Sequence, residues 1–165
     1  MDYLIRKAKS GDETALAYIQ TETWKAAFKN ILSKEILQKS TEITRIVSMY
    51  KQLLDDGIGH GYILEVDEKP HCIAWWDKAR DDDMTDYTEL ICIHSLQNKQ
   101  RNGYGTKMMD TVLSDMKEAG YRKVMLWVFT YNDIARKYYE ACGFIIYGKI
   151  KRCLGTQEIC YERNL

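Results

Sequence analysis

The sequence has little proline, no excess of charge of either sign and no long apolar run. Pro70 is the only proline among 165 residues, and no repeat or Pro/Gly/Ser-rich linker divides the chain. We therefore expect one domain over residues 1–165. Lys plus Arg number 24, as do Asp plus Glu, so the formal net charge is zero. Because a nucleic-acid binder usually carries an overall basic field, we do not expect DNA or RNA as a partner.

Apolar residues form no run approaching the roughly 20 that a membrane-spanning helix needs, and the first residues do not resemble a signal peptide. We therefore expect no membrane association and a cytoplasmic location. The five cysteines include no Cys-x-x-Cys pair, which favours reduced thiols over a redox or metal role. These cysteines are Cys72, Cys92, Cys142, Cys153 and Cys160.

Alternation of apolar and polar residues predicts seven strands, and apolar residues at helical spacing predict five helices. The predicted strands are residues 3–7, 61–65, 69–76, 87–95, 123–128, 144–152 and 157–163. The predicted helices are residues 12–28, a short helix from Ser33, then 41–54, 103–119 and 132–141, with Ser10, Gly11 and Asp12 offering a cap for the first. Strands and helices that interleave in this order predict an α/β fold, with a mixed central sheet flanked by helices.

The most informative segment is Gln-Arg-Asn-Gly-Tyr-Gly-Thr at residues 100–106, between a predicted strand and a predicted helix. Its glycines allow a tight turn, and the first helical turn leaves N–H groups unpaired at the positive end of the helix dipole. Such a turn can bind a phosphate or pyrophosphate. Lys99, Arg101 and Lys107 would add positive charge around it.

A plain tight turn into a helix is the simpler alternative for this segment. Two other phosphate-binding loops do not fit it. A nucleoside-triphosphate loop needs Gly-x-x-x-x-Gly-Lys-Ser/Thr, which is absent from the sequence. A dinucleotide-binding loop needs a third glycine, where this chain has Met108.

Two blocks together resemble the GNAT superfamily of N-acetyltransferases. The first is Gln-x-x-Gly-x-Gly from Gln100, preceded by the strand that carries Glu89. The second is Asn-x-x-Ala-x-x-x-Tyr-x-x-x-Gly-Phe, which runs from Asn132 to Phe144. One predicted helix and one predicted strand separate the blocks, as in that family. The resemblance is close over residues 87–144 and looser before them.

The resemblance implies a GNAT-like fold, acetyl-CoA as co-substrate and no metal. The fourth and fifth strands would separate, and backbone groups of the fourth would bind the pantetheine arm. The residues implied for this arm are Ile93, His94, Ser95, Asn132, Ala135 and Tyr139. The residues implied for the pyrophosphate are Gln100, Arg101, Asn102, Gly103, Tyr104, Gly105 and Thr106.

The same resemblance implies the catalytic groups. Tyr139 would protonate or hydrogen-bond the departing thiolate, while neighbouring Tyr138 is expected only to pack. Glu89 would remove a proton from the incoming ammonium, through water, with His94 as the alternative base. Glu89 on a strand could instead be simply solvated. A backbone donor near Ile93 would stabilise the oxyanion.

The acceptor implied is a primary amine of a small molecule or peptide, and the sequence does not identify it. Four acidic residues before the fourth predicted strand could attract a cationic acceptor, although a solvated charged loop is the simpler explanation. These residues are Asp81, Asp82, Asp83 and Asp86. Trp24, Phe28, Trp75 and Trp76 could line an acceptor pocket or pack in the core. A non-catalytic acyl-CoA binder and a protein-modifying subunit stay open as alternatives, and a homodimer is possible.

Overall fold

A computed structural model describes residues 2–97 and 102–165 of the chain. Every predicted element is present, with bounds within two residues of those expected from the sequence. In chain order the elements are β1 (Tyr3–Lys7), α1 (Glu13–Ala27), α2 (Lys34–Ser40), α3 (Ile43–Asp55), β2 (His60–Val66), β3 (Lys69–Lys78), β4 (Thr88–Ser95), α4 (Tyr104–Glu118), β5 (Lys123–Phe129), α5 (Asp133–Ala141), β6 (Ile145–Cys153) and β7 (Thr156–Asn164).

All seven strands form one sheet in the order β1-β2-β3-β4-β5-β7-β6. Neighbouring strands are antiparallel except β4 and β5, which are parallel. The predicted fold class, a mixed and largely antiparallel sheet flanked by helices, is therefore confirmed. In the part of the chain that the structure describes, no helix is both long and apolar enough to cross a membrane.

Both faces of the sheet are covered, and strand β3 shows how its sequence achieves this. Its side chains alternate between two hydrophobic clusters because successive residues of a strand point to opposite faces. Ala74 and Trp76 pack on the face covered by α4 and α5. Ile73 and Trp75 pack on the face covered by α1 and α3. Since Trp75 and Trp76 are buried, both belong to the core rather than to an open pocket.

The first helix begins at the predicted cap position, but without the side-chain hydrogen bond expected there. Asp12 is the N-cap residue of α1, but its side chain accepts no hydrogen bond from the helix. The carboxylate instead accepts bonds of 2.8 and 3.0 Å from the guanidinium of Arg6 and one of 2.8 Å from the N–H of Lys9. Hydrogen bonds from Arg6 lower the pKa of Asp12. Asp12 therefore links the start of α1 to strand β1.

Candidate functional site

A gap opens in the middle of the sheet between β4 and β5. These strands pair at Thr88 with Val124 and at Glu89 with Met125, and no further pair joins them among the described residues. Residues 90–95 of β4 and 126–129 of β5 therefore diverge toward their carboxyl ends. In open α/β sheets, ligands bind in crevices at the carboxyl ends of the strands.

A β-bulge in β4 lies at the start of this gap. Trp75 of β3 is opposite Cys92 and Trp76 is opposite Leu90, so Ile91 is the extra residue. Leu90 packs on the α4/α5 face, whereas Ile91 and Cys92 both pack on the α1/α3 face. A bulge twists its strand and changes the direction of neighbouring groups. In β4 it does so where the strand leaves β5.

Helix α4 begins beside the gap with a turn whose two glycines have different roles. Gly103 has a φ of 76°, a left-handed conformation that favours glycine. Gly105 lies in the first turn and its φ is not in that region. A Cβ added at Gly105 would find its nearest described neighbours in the Tyr138 side chain, at 3.5 to 3.8 Å, which is ordinary van der Waals contact. The fold would therefore accept a side chain at Gly105.

The first turn of α4 has the chemistry of an anion-binding turn. Its first helical hydrogen bond runs from Lys107 N to Gly103 O, at 3.1 Å. The N–H groups of Gly105 and Thr106 precede this bond, so the helix supplies them with no acceptor. Together with the helix dipole they favour a negatively charged group. A bare glycine backbone here lets such a group approach closely.

Apart from Gly105, which is half-buried, the predicted pyrophosphate residues divide into three groups. Asn102, Gly103 and Thr106 are exposed at the start of α4. Tyr104 is buried in the core, with its ring 5.3 Å from that of His71, so only its backbone is placed to face a ligand. Gln100, Arg101 and the neighbouring Lys99 lie outside the described residues.

Helix α5 follows β5 and carries the second sequence block. Asn132 caps this helix, because its Oδ1 accepts a hydrogen bond of 3.2 Å from Ala135 N. Ala135 and Tyr139 both pack against the cluster on the α4/α5 face, where Ile93 of β4 also packs. Ile93, Ala135 and Tyr139 therefore lie on the same face of the sheet, and Asn132 has a capping role that the sequence did not predict.

Tyr139 is held as a neutral phenol. Burial raises the pKa of Tyr139, and a smaller contribution comes from Cys92 of β4, which is near enough to interact with it. No hydrogen bond joins the Tyr139 hydroxyl to another residue within 2–97 or 102–165. A protonated hydroxyl with no protein acceptor in that part of the chain can donate to a ligand in the gap.

A sequence model described as the acetyltransferase (GNAT) family matches residues 24–144. This match covers most of the chain. The protein belongs to the GNAT acetyltransferase family. A comparison with curated proteins found no match.

Solved structures agree with the GNAT fold. The PaiA N-acetyltransferase from Thermoplasma acidophilum, in complex with coenzyme A, aligns with a TM-score of 0.80 over 100% of both chains at 16% identity. An N-acetyltransferase from Staphylococcus aureus Mu50 aligns with a TM-score of 0.76 over 99% of both chains at 16% identity. YncA from Salmonella typhimurium, with its cofactor acetyl-CoA, has a TM-score of 0.72 and 15% identity over 98% of this chain and 93% of its own. At these identities the likeness concerns the fold.

Glu89 of this GNAT domain lies where β4 and β5 separate, and it is paired rather than solvated. Its side chain is 2% exposed. One carboxylate oxygen accepts bonds of 3.1 Å from the N–H and the Nε of Arg80, and the other accepts a bond of 2.7 Å from Nη2. These bonds occupy three of about four acceptor positions of a carboxylate. The role of Arg80 could not be predicted from the sequence, because nothing in the local pattern links a loop residue to a strand residue nine positions later.

His94 and Ser95 connect the end of β4 to helix α1. Trp24 Nε1 donates to His94 Nε2 at 3.4 Å, and Thr23 Oγ1 donates to the carbonyl of Ser95 at the same distance. Burial lowers the pKa of His94 to about 4, so its imidazole is neutral at pH 7. The lowered pKa makes the imidazole harder to protonate, and its unprotonated nitrogen already accepts a hydrogen bond from Trp24. Both features weaken the case for His94 as a base.

Cys92 is the thiol nearest to the bulge, which makes it the obvious alternative nucleophile. Burial raises the pKa of Cys92 to about 12. A thiol that stays protonated at pH 7 is a poor nucleophile, since the thiolate is the reactive form. Among the described residues, no group of three or more potential metal ligands is clustered.

The acidic loop between β3 and β4 is partly neutralised from β6. Lys149 Nζ contacts Asp81 at 2.8 Å and Asp83 at 2.6 Å. Asp81 also accepts a hydrogen bond of 3.4 Å from Trp127 Nε1. Part of the charge expected to attract a cationic acceptor is therefore balanced within the protein.

Proposed function

We propose that this protein transfers the acetyl group of acetyl-CoA directly to a primary amine of a small molecule or peptide. The observation that carries the proposal is the gap between β4 and β5, bordered by the first turn of α4 and by Tyr139. The gap separates two strands, the turn begins α4 and Tyr139 lies on α5. Together they suit a ligand that is long, is negatively charged and carries a thioester. Membership of the GNAT family supports the reaction class.

The residues that line the gap fit acetyl-CoA as a substrate. Ile93, His94 and Ser95 lie on the part of β4 that β5 does not pair, so backbone groups of this edge can bind an amide-containing arm. The N–H groups of Gly105 and Thr106 can bind its pyrophosphate. Gly105 supports this assignment most strongly, because neither its backbone conformation nor its neighbours within 2–97 and 102–165 require glycine.

The proposed chemistry depends on Tyr139 and on the protonated thiol of Cys92. The amine nitrogen forms a bond to the thioester carbonyl carbon, and the carbon–sulfur bond then breaks. Tyr139 donates its proton or a hydrogen bond to the departing thiolate, and burial raises its pKa, which keeps the hydroxyl protonated at pH 7. Direct attack, without an acetylated cysteine, accords with the protonated thiol of Cys92.

The acceptor approaches, in this proposal, from the α1/α3 side of the sheet. Leu90 points to the α4/α5 side, so the neighbouring Glu89 points to the other. Glu89 would take the proton of the incoming ammonium through a water molecule. Arg80 holds Glu89 in place and leaves about one acceptor position open on the carboxylate. Glu89 is favoured over His94 because the unprotonated Nε2 of His94 already accepts a hydrogen bond from Trp24, whereas the Glu89 carboxylate keeps an acceptor position open.

The test is release of free thiol from acetyl-CoA in the presence of a panel of amines. The panel would contain polyamines, aminoglycosides, amino acids and peptides with a free N-terminus or lysine. We expect acceptor-dependent release that falls about 10²- to 10⁴-fold in Tyr139→Phe, the range for loss of one general acid. Calorimetry with coenzyme A would show that this variant still binds the donor. Equal turnover by wild type and Tyr139→Phe would contradict the assigned role, and coenzyme A binding without release with any amine would contradict the proposed acceptor class.

A further inference from the structure

The two adjacent tyrosines of α5 make different contacts. Tyr138 donates a hydrogen bond of 2.9 Å from its hydroxyl to the carbonyl of Gly105. Tyr139 has its ring 5.9 Å from Phe144, and its hydroxyl bonds to no other described residue. Tyr138 is therefore more than the packing residue that the sequence predicted.

The Tyr138 bond joins two elements that are far apart in the chain. Gly105 and Tyr138 are separated by 33 positions, with β5 between them in sequence. Gly105 lies in the turn whose N–H groups we assign to the pyrophosphate. Tyr138 lies next to the residue that we assign to the thiolate. The bond therefore links the turn assigned to the pyrophosphate with the part of α5 assigned to the thiolate.

We propose that Tyr138 is a positioning residue that holds the first turn of α4 in place to bind the pyrophosphate. This inference rests on the proposed function, since it presumes that acetyl-CoA binds in the gap. The hydroxyl acts through Gly105, whose carbonyl it contacts, and not on the ligand.

A positioning role for Tyr138 predicts a result that a general packing role for the same residue does not predict. Loss of the Tyr138 hydroxyl should weaken ligands that contain the pyrophosphate and spare those that lack it. S-acetylpantetheine carries the thioester and the amide arm without the pyrophosphate. Acetyl-CoA and S-acetylpantetheine therefore distinguish an effect on the α4 turn from an effect on the whole site.

The experiment compares wild type with Tyr138→Phe, using coenzyme A binding by calorimetry and kcat and KM with both donors. We expect the Kd of coenzyme A and the KM of acetyl-CoA to rise about 3- to 10-fold, the range for one net hydrogen bond. The kcat should change by less than about twofold, as should kcat/KM with S-acetylpantetheine. Tyr87→Phe is the matched control, because it removes a tyrosine bond of 2.6 Å to Glu162 at the paired end of β4.

Three results would overturn the inference. Unchanged coenzyme A binding in Tyr138→Phe would show that the hydroxyl does not position the turn. An equal loss with both donors, or a similar loss in Tyr87→Phe, would indicate a general structural effect. Wild-type protein that binds neither coenzyme A nor S-acetylpantetheine would refute the proposed function itself. A thermal melt of each variant separates these results from simple unfolding.

Discussion

Replacement of Gly105 by alanine should make this protein more stable and less able to bind coenzyme A. Gly105 lies in the first turn of α4, and alanine is favoured over glycine within a helix by about 0.5 to 1 kcal/mol. Among the described residues, the atoms nearest to the added Cβ would be those of the Tyr138 side chain, at 3.5 Å or more, so these residues impose no steric cost that offsets the gain. Because the first turn is less demanding than a helix interior, we expect about 0.5 kcal/mol.

The matched control is Gly103→Ala, two residues earlier. Gly103 has a φ of 76°, where alanine is strained, although a Cβ there would meet no atom of the described residues within 4 Å. We therefore expect Gly103→Ala to lower the free energy of unfolding by about 1 kcal/mol. The two variants differ in backbone conformation, while both add one methyl group to the same turn.

Two assays would test this prediction. Urea unfolding at pH 7 gives the free energy of unfolding, and calorimetry gives the Kd of coenzyme A. For a chain of this length, about 0.5 kcal/mol corresponds to a melting temperature higher by roughly 1 to 2 °C. We expect coenzyme A to bind at least about tenfold more weakly, equivalent to about 1.4 kcal/mol. A stabilised Gly105→Ala variant with unchanged coenzyme A affinity would refute the assignment of this turn to the pyrophosphate.

Three further predictions concern β4. Cys92→Ala should keep turnover within about twofold of wild type, because a thiol that is protonated at pH 7 carries no acetyl intermediate. A fall in turnover of more than about tenfold in steady-state assays would contradict direct attack. His94 has a folded pKa of about 4, below its reference value of 6.5, so its contribution to stability is complete above pH 6.5 and is lost as the pH falls toward 4. Urea unfolding of wild type and His94→Gln would be measured across that pH range. The free energy of unfolding of wild type should fall by up to about 3 kcal/mol relative to that of the variant. Parallel dependence of the two free energies on pH would contradict the pKa shift. Arg80→Gln should destabilise the fold by about 1 to 3 kcal/mol, because it leaves Glu89 buried without a counter-charge. Adding Glu89→Gln to this variant should recover part of the lost stability. Equal stability of Arg80→Gln and wild type in urea would refute the pairing.

The helices and strands were predictable because their signals are local. Gly120 and Gly143 follow predicted helix ends, and both adopt positive φ angles there. Ser33 precedes α2, and its hydroxyl accepts the hydrogen bond from Ile36 N that such a position predicts. Asp12 shows the limit of this reasoning, because Arg6 competes for the carboxylate that the sequence assigned to the helix.

The parts of the site that escaped prediction depend on contacts between distant residues. The bulge at Ile91 carries no glycine or proline signal, since it follows from the register of β3 against β4. Arg80 and Tyr138 have ordinary local patterns, and only the folded chain brings them to Glu89 and Gly105. The position of Tyr139 beside the gap was expected only through the resemblance to a family, because the chain contains 12 tyrosines that composition does not distinguish.

The separation of β4 from β5 also affects how the sheet is held together. Four strands lie on one side of the gap and three on the other, and the direct ladder between them consists of two residue pairs. A ligand that bonds to the free edge of β4 and also contacts α5 would act as a reversible cross-link between two half-sheets. Its binding would raise the melting temperature with ligand concentration. Amide hydrogen exchange would slow most in residues 90–95, so the substrate would complete the sheet that the chain leaves open.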